Sequence, residues 1–516
     1  MPEKETGPTA TGWQDGVLVE DWIHAEIGRH EPGWGRAYPR WCSVIRQRDL
    51  HTGAEIGVAF GGHTEAILKN TEVRKLYSVD MFRHDPDYVD PLNFPQERFD
   101  ELFEFVRSRI AKFGARCEVV RLESGAAAAV VPDGLDFVYL DANHSFEGVS
   151  RDLGLWAAKV HDGGIVGGHD YGHPDFPGVR AAVDRFCRRF AWAIHEEGEG
   201  VWWTAKATPR VTFVVPAFNC SPTIEQTLRS IAYDNLAEAD ELVVIDDAST
   251  DDTARILDDV RRGNAAVRIL THRVNKGTAA AARNTGIEAA SNELIFCLDS
   301  DNVLESRSIH SLASHLFRTG ADAAAFGEIR FFDARIVDVT HKWVFKDSIT
   351  LADALAGNHW PGPSGNYLFT RESWRRAGRY HEPSLENPTL DSWIFGVRQL
   401  GTGSKMVTLA GTWYSHRYGH ESHYVRNWKK GSQSLAGLIG LIPLLDLLDE
   451  RDVAYIFGAK GRYTWYEKLN ERPLRLRRGE RGQNGTVSHG ASDRRERGLG
   501  LLHSRLKKVK ARLRRS

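Results

Sequence analysis

Short apolar runs alternate with longer amphipathic stretches along most of this chain, and the alternation happens twice. In the first round AEIGVAF (54–60), KLYSVD (75–80), CEVVRL (117–122), LDFVYLD (135–141) and GGIVGGHD (163–170) read as strands. Helical stretches fall between them at 65–70, 96–113 and 146–160, the second with Phe99, Leu102, Phe103, Val106 and Ile110 on one face. After a helix over 179–190, WAIHEEG and GVWWTAK flank Gly198–Gly200 and predict an antiparallel pair that closes the sheet. Thr208-Pro209-Arg210 interrupts the pattern, and a second round follows. Its strands are predicted at 211–218, 241–247, 267–272 and 293–299, and its helices at 221–233, 253–262 and 278–290. Ser221-Pro222 supplies a cap and first-turn pair for the first of these helices. Strands alternating with helices predict two open, doubly wound parallel sheets, an α/β fold.

In such sheets ligands bind beyond the carboxyl ends of the strands. Asp80, Asp141, Asp170, Asp246, Asp247, Asp299 and Asp301 all fall there. A carboxylate deeper in a buried strand would be costly. GVAFGGHT (57–64) joins a strand to a helix through a glycine-rich turn, which lets a ligand approach the backbone. Asp80, 23 residues after Gly57, can hold two ribose hydroxyls. A GxGxxG phosphate cradle is absent, which argues against a nicotinamide dinucleotide.

The length of 516 residues fits two or three domains, and 41% hydrophobic with 26% charged residues is ordinary for a globular chain. A net charge of −2 conceals an asymmetry: residues 472–516 carry fifteen Lys and Arg against three Asp and Glu. An acidic body with a basic tail excludes a nucleic-acid binder that uses the whole chain. Five scattered cysteines without a CxxC pair, and a polar N-terminus, predict a reducing, cytoplasmic location. No apolar run reaches membrane-spanning length. In the tail, Leu499, Leu502, Leu506, Val509 and Leu513 fall at helical spacing among Arg and Lys, which predicts a basic amphipathic helix for peripheral membrane contact.

DFVYLDANHSFEGVSRDLGLWAAKVHDGGIVGGHDYGHPDFPGVRAAVDRF resembles class I S-adenosylmethionine-dependent methyltransferases, most closely a sugar O-methyltransferase subgroup, over roughly 50–206. The resemblance implies that Glu55, Gly57 and Gly61 line the methionine end of the cofactor. It places Asp80 on the ribose and Glu123 or Ser124 near the adenine. Relatives bind a divalent cation through acids matching Asp141 and Asp170. His169 stands where metal-using relatives often carry an acid, and is an expected ligand here. His144 is a candidate base, since a bound cation and a base together activate a sugar hydroxyl.

VVPAFN, VVIDDASTDDT, NKGTAAAARNTGI and CLDSDN, in that order, resemble the family 2 glycosyltransferases of GT-A fold over roughly 210–420. The resemblance implies a nucleotide-sugar donor, with Pro216, Ala217, Asn219, Asp246 and Asp247 shaping the nucleoside pocket. Lys276 and Arg283 would meet nucleotide or phosphate. Asp299 and Asp301 would hold Mg²⁺ or Mn²⁺ against the diphosphate. An inverting reaction needs a carboxylate base. Asp391 matches the family's position although Leu390 replaces the usual Glu, and Glu386 is the reserve. His416 is a further candidate contact, and Trp360, Asn366 and Tyr367 are candidates to meet a sugar.

The expected organisation is a helical lead-in (1–50), a methyltransferase-like domain (51–206), a GT-A domain (210–430), a helical extension (431–470) and a basic tail (471–516). The expected function is glycosyl transfer to a glycan or glycolipid acceptor combined with O-methylation of a sugar. A noncatalytic methyltransferase-like domain, and a membrane-recruited scaffold with silent sites, are the alternatives.

Overall fold

A computed structural model describes residues 13–14, 17–86, 92–237, 240–264, 266–357, 359–382, 390–418 and 433–477. The reserve base Glu386 and, in the basic tail, residues 478–516 with the predicted amphipathic helix lie outside the described residues.

Two helices, α1 (Val19–Trp34) and α2 (Tyr38–Gln47), precede the first sheet. Its strands are β1 (Thr52–Ile56), β2 (Lys75–Asp80), β3 (Cys117–Arg121), β4 (Leu135–Leu140), β5 (Val160–Gly168), β6 (His195–Gly198) and β7 (Val201–Ala205). They lie in the order β3-β2-β1-β4-β5-β7-β6. The first five run parallel, and β7 and β6 close the edge antiparallel. Both faces are covered, by α3 (Gly62–Asn70), α4 (Gln96–Ile110), α5 (Ser124–Val130), α6 (Phe146–Ala157) and α7 (Pro177–Phe190) together with α2. Trp41 of α2 seats on Phe137 and Tyr139, with ring centroids 5.9 and 4.8 Å away. The sequence pattern did not predict α5. Its SGAAAAV run has no amphipathic period, and the Glu123 side chain starts it by accepting from the Gly125 and Ala126 amides.

The second sheet begins with β8 (Val211–Ala217), β9 (Glu241–Asp246), β10 (Val267–Thr271) and β11 (Leu294–Cys297). It continues through β12 (Val303–Leu304), β13 (Ala323–Phe332), β14 (Val339–Val344), β15 (Ser348–Ile349), β16 (Leu368–Thr370) and β17 (Met406–Arg417). The order is β10-β9-β8-β11-β16-β13-β17-β12, with β14 on β13 and β15 on β17. The first four strands are parallel as predicted, and β16 joins β11 antiparallel. The helices are α8 (Ile224–Ala232), α9 (Thr253–Gly263), α10 (Ala279–Ala289), α11 (Ser308–Thr319), α12 (Leu351–Leu355), α13 (Arg371–Arg376) and α14 (Asp391–Gly401), then α15 (Gln433–Leu441) and α16 (Glu450–Phe457). α8 starts three residues later than Ser221-Pro222 predicts, because the Ser221 amide is held by Asp251 Oδ2 at 3.1 Å. α10 rests directly on β8: a Cβ at Gly286 would lie 2.5 Å from a Val214 methyl.

The two sheets share one continuous apolar core. Phe317 of α11 inserts among Phe186, Phe190 and Trp192, at ring-centroid distances of 5.4, 4.7 and 5.5 Å. Beside it Arg189, 8% exposed, donates to Asp322 Oδ1 at 2.6 Å and to the Ala321 carbonyl at 3.0 Å. Arg376 and the Lys405 amide also donate to Asp322.

Candidate functional site

A cavity of about 1020 Å³ opens at the carboxyl edge of the first sheet, lined by Glu55, Gly57, Asp80, Glu123, Ser124, Asp141, His144, His169 and Asp170 among others. Gly57 has φ of +94°, and a Cβ there would lie 1.9 Å from the Asp141 carbonyl oxygen. Only glycine lets β1 and β4 part here and leave the cavity floor open. Gly57→Ala is therefore expected to abolish the thermal stabilisation by S-adenosylmethionine that is expected of the unaltered chain. An undiminished melting-temperature rise in the variant would count against a cofactor seat at this turn.

Other residues at this edge are already engaged by the chain. Asp80 accepts from the Val58 and Ala59 amides through Oδ2 and from the Phe82 amide through Oδ1, so it orders the glycine-rich turn. Glu55 is 1% exposed and binds His63 at 2.8 Å and the Thr64 hydroxyl. Ser124 donates to Asp152 at 2.6 Å and accepts from Trp156. Gly61 does not line the cavity; its left-handed φ of 80° starts α3, and Gly62 takes its place in the wall.

Asp141, His144 and Asp170 each bring a ligand atom within 4.8 Å of the others. Two oxygens and one nitrogen are a fitting donor set for a divalent cation. His169 is a correction: it stands outside this trio, with Nε2 2.8 Å from the Glu199 carbonyl and Nδ1 3.2 Å from Asp170. His144 Nε2 lies 3.1 Å from Asp170 Oδ2 and 3.4 Å from Asp141 Oδ1. Burial opposes its charge, but the two carboxylates more than offset that and raise its pKa to about 10. Both carboxylates favour the charged ring and so oppose the base role expected of it.

The second sheet presents the other group of strand-end acids. Arg283 of α10, 3% exposed, joins one of them, Asp299, to Asp391 at the start of α14. Its Nη2 donates to Asp299 Oδ1 at 2.5 Å and its Nη1 to Asp391 Oδ2 at 2.7 Å. Residues separated by 92 positions thus share one guanidinium. Burial alone would lower the Arg283 pKa; the two carboxylates reverse that and keep it charged. Asn366 fixes the second oxygen of Asp299 at 3.2 Å and accepts from the Asp299 amide at 2.8 Å. Arg417 Nε holds the Asp301 carbonyl at 3.0 Å and its amide donates to Asn302. Asp391 is the first residue of α14, entered through Leu390 at φ 74°.

Of the other expected nucleotide contacts, Asp246 and Asp247 are buried in the scaffold, while Asn219 and Lys276 are exposed. Asp247 accepts from the Lys276 amide through both oxygens at 3.0 Å and pairs with His272 at 2.6 Å. Asp246 accepts from Ser249. Asn219, at φ 46°, exchanges hydrogen bonds with Thr250, and Pro216 and Ala217 lie buried at the end of β8. His272 was missed by sequence reasoning, although it closes VRILTH at the same sheet edge as Asp246. Two expectations are corrected: Trp360 (2% exposed) and Tyr367 (0%) are sealed in the core, Tyr367 bonding Gln399, and neither can meet a sugar.

Sequence comparison agrees with this division. A model described as "Methyltransferase domain" matches residues 54–171, and one described as "Glycosyl transferase family 2" matches 212–376. The chain carries a methyltransferase domain followed by a family 2 glycosyltransferase domain. Chondroitin synthase of Escherichia coli is 27% identical over 186 residues, 36% of this chain and 26% of that protein. Poly(ribitol-phosphate) beta-N-acetylglucosaminyltransferase TarP of Staphylococcus aureus (strain N315) is 31% identical over 107 residues, 20% of this chain and 32% of that one. The matches thus span about a quarter to a third of these relatives' length. A crystal structure of S. aureus TarS 1–349 with UDP-GlcNAc aligns at TM-score 0.38 and 16% identity, covering 51% of this chain and 70% of that one. Among the described residues no helix of the methyltransferase–glycosyltransferase chain is long and apolar enough to cross a membrane.

Proposed function

We propose that the chain is a two-activity enzyme of glycan assembly. The glycosyltransferase domain transfers a sugar from a nucleotide-sugar to a hydroxyl acceptor with inversion, and the methyltransferase domain methylates a sugar hydroxyl. The observation that carries the first activity is the Arg283 guanidinium held between Asp299 and Asp391. It sets the base candidate and the donor-side acid a fixed distance apart, in a strand-end location where a donor is met. Asp391 accepts the acceptor hydroxyl's proton as that oxygen attacks the anomeric carbon. The bond from that carbon to the diphosphate oxygen breaks, and the electron pair leaves with the diphosphate.

Asp301, two residues beyond Asp299 at the same strand end, would hold a divalent ion against the donor's diphosphate, while Asp299 is engaged by Arg283 and Asn366. Among the described residues no group of three ligand side chains forms around Asp299 and Asp301. One or two acids completed by substrate phosphates is the arrangement that suits Mg²⁺. A bound ion would offset the charge that develops on the leaving diphosphate. In the other domain Gly57, Asp80 and the open cavity suit S-adenosylmethionine, which supplies the methyl group. A noncatalytic positioning domain is the second reading, favoured by the engagement of His144 Nε2, the candidate base, with Asp141 and Asp170 at 3.4 and 3.1 Å.

Thermal shift separates these readings, since a ligand of the native state raises the melting temperature. Nucleotide-sugars with Mn²⁺ are expected to stabilise the chain, and Asp301→Ala to lose the Mn²⁺-dependent part. S-adenosylmethionine is expected to stabilise it independently. Stabilisation without methyl transfer to any glycan would support the positioning role, and no response to any nucleotide-sugar would remove the glycosyltransferase reading.

A further inference from the structure

We infer that an aromatic–imidazole row on β13, β14 and β17 is the subsite for the acceptor glycan, an inference that rests on the glycosyltransferase reading above. The strand register builds it. Phe331 pairs with both His341 and His416, and Ile329 pairs with both Trp343 and Tyr414. Directly paired residues share a face, as do residues two apart, so all six side chains line one side of the sheet. That side is the one that carries Asp299. The Tyr414 hydroxyl lies 3.2 Å from Asn366 Nδ2, which also holds Asp299 Oδ2.

From there the row runs outward. His416 Nδ1 is 3.4 Å from the Tyr414 hydroxyl, and the His416 ring is 4.9 Å from Phe331. His341 lies flat on Phe331 at 4.2 Å and 5°, and Trp343 meets Phe331 edge-on at 4.8 Å. His359 then stacks on Trp343 at 4.5 Å and 19°. His341 and His359 are exposed and Trp343 is half-buried, so the outer end of the row faces solvent.

The chemistry of the row selects its occupant. A pyranose offers an apolar C–H face beside several hydroxyls. An indole presents a flat apolar surface, and imidazoles can both donate and accept hydrogen bonds. A lipid tail would call for an uninterrupted apolar surface, which five polar-tipped rings do not provide. Continuity with Asp299 and Asp391 sets the direction: the end of a glycan lying along the row would point at the base.

The test uses the full chain and two reactions. One is hydrolysis of whichever nucleotide-sugar stabilises it most, which needs no acceptor. The other is transfer to hexamers of cello-, chito- and xylo-oligosaccharides. Trp343→Ala and His341→Ala are each expected to raise the acceptor KM roughly ten-fold, the worth of one or two lost ring contacts. Donor hydrolysis should stay unchanged, which also reports that the variants fold. The inference is overturned if the unaltered chain uses no hexamer while it hydrolyses donor, if the variants use hexamers equally well, or if both reactions fall together. Trp343-dependent binding to phosphatidylglycerol vesicles without hexamer use also overturns it. Absence of donor hydrolysis in the unaltered chain would instead indict the underlying function.

Discussion

Asp391→Asn is expected to lower sugar-transfer turnover by roughly 10²- to 10⁴-fold, the usual contribution of a positioned general base. Donor KM should change little, because the asparagine amide oxygen can still accept from Arg283 Nη1 and Arg283 keeps Asp299. The substitution removes proton acceptance and leaves the geometry. Release of nucleoside diphosphate in the presence of acceptor measures it. Turnover within ten-fold of the unaltered chain would dismiss Asp391 as the base and return attention to other acids near the strand ends.

Asp322→Ala should destabilise the fold by about 3–5 kcal/mol, as expected when a buried ion pair loses one member. It would leave the Arg189 guanidinium, buried against Phe190, with only the Gly320 and Ala321 carbonyls. Arg189→Met should cost much less, since Asp322 would keep Arg376 and the Lys405 amide and a methionine fills the apolar gap. Chemical denaturation of both variants gives the comparison; equal losses would mean that packing, and not the stranded charge, sets the cost. Burial alone would raise the Asp322 carboxyl pKa, but Arg189 and Arg376 outweigh it and hold it below the ordinary aspartate value. The contribution is therefore complete above pH of about 4 and declines as pH falls through the lowered pKa.

The parallel strands were legible because each is a short apolar run buried on both faces and bounded by turn residues. β1 to β5 and β8 to β11 all fall within a few residues of their predicted spans. The later strands of the second sheet were not. β13 opens on Ala323-Ala324-Ala325, which has weak strand preference, and β17 carries Gly411 and a polar TWYSHR end. Their partners are distant in sequence, and pairing of that kind leaves no local periodicity. The site divides along the same line. Asp299 and Asp391 could be named from motif and helix position. That Arg283 joins them, that Asn366 orients Asp299, and that Trp360 is sealed away depend on packing between segments far apart along the chain. Glu55, Asp246 and Asp247 show the limit of motif reading, since the carboxylate of Glu55 holds the start of α3 and those of Asp246 and Asp247 hold neighbouring loops.

The Phe317 cluster constrains how this protein can be divided. Cutting the chain between residues 206 and 211 would uncover Phe186, Phe190 and Trp192 on one fragment and Phe317 on the other, each a sticky apolar surface. The halves are welded and not tethered, so neither is expected to behave as a free-standing soluble module, and shuffling one of them into another gene would have to bring a replacement for the lost wall.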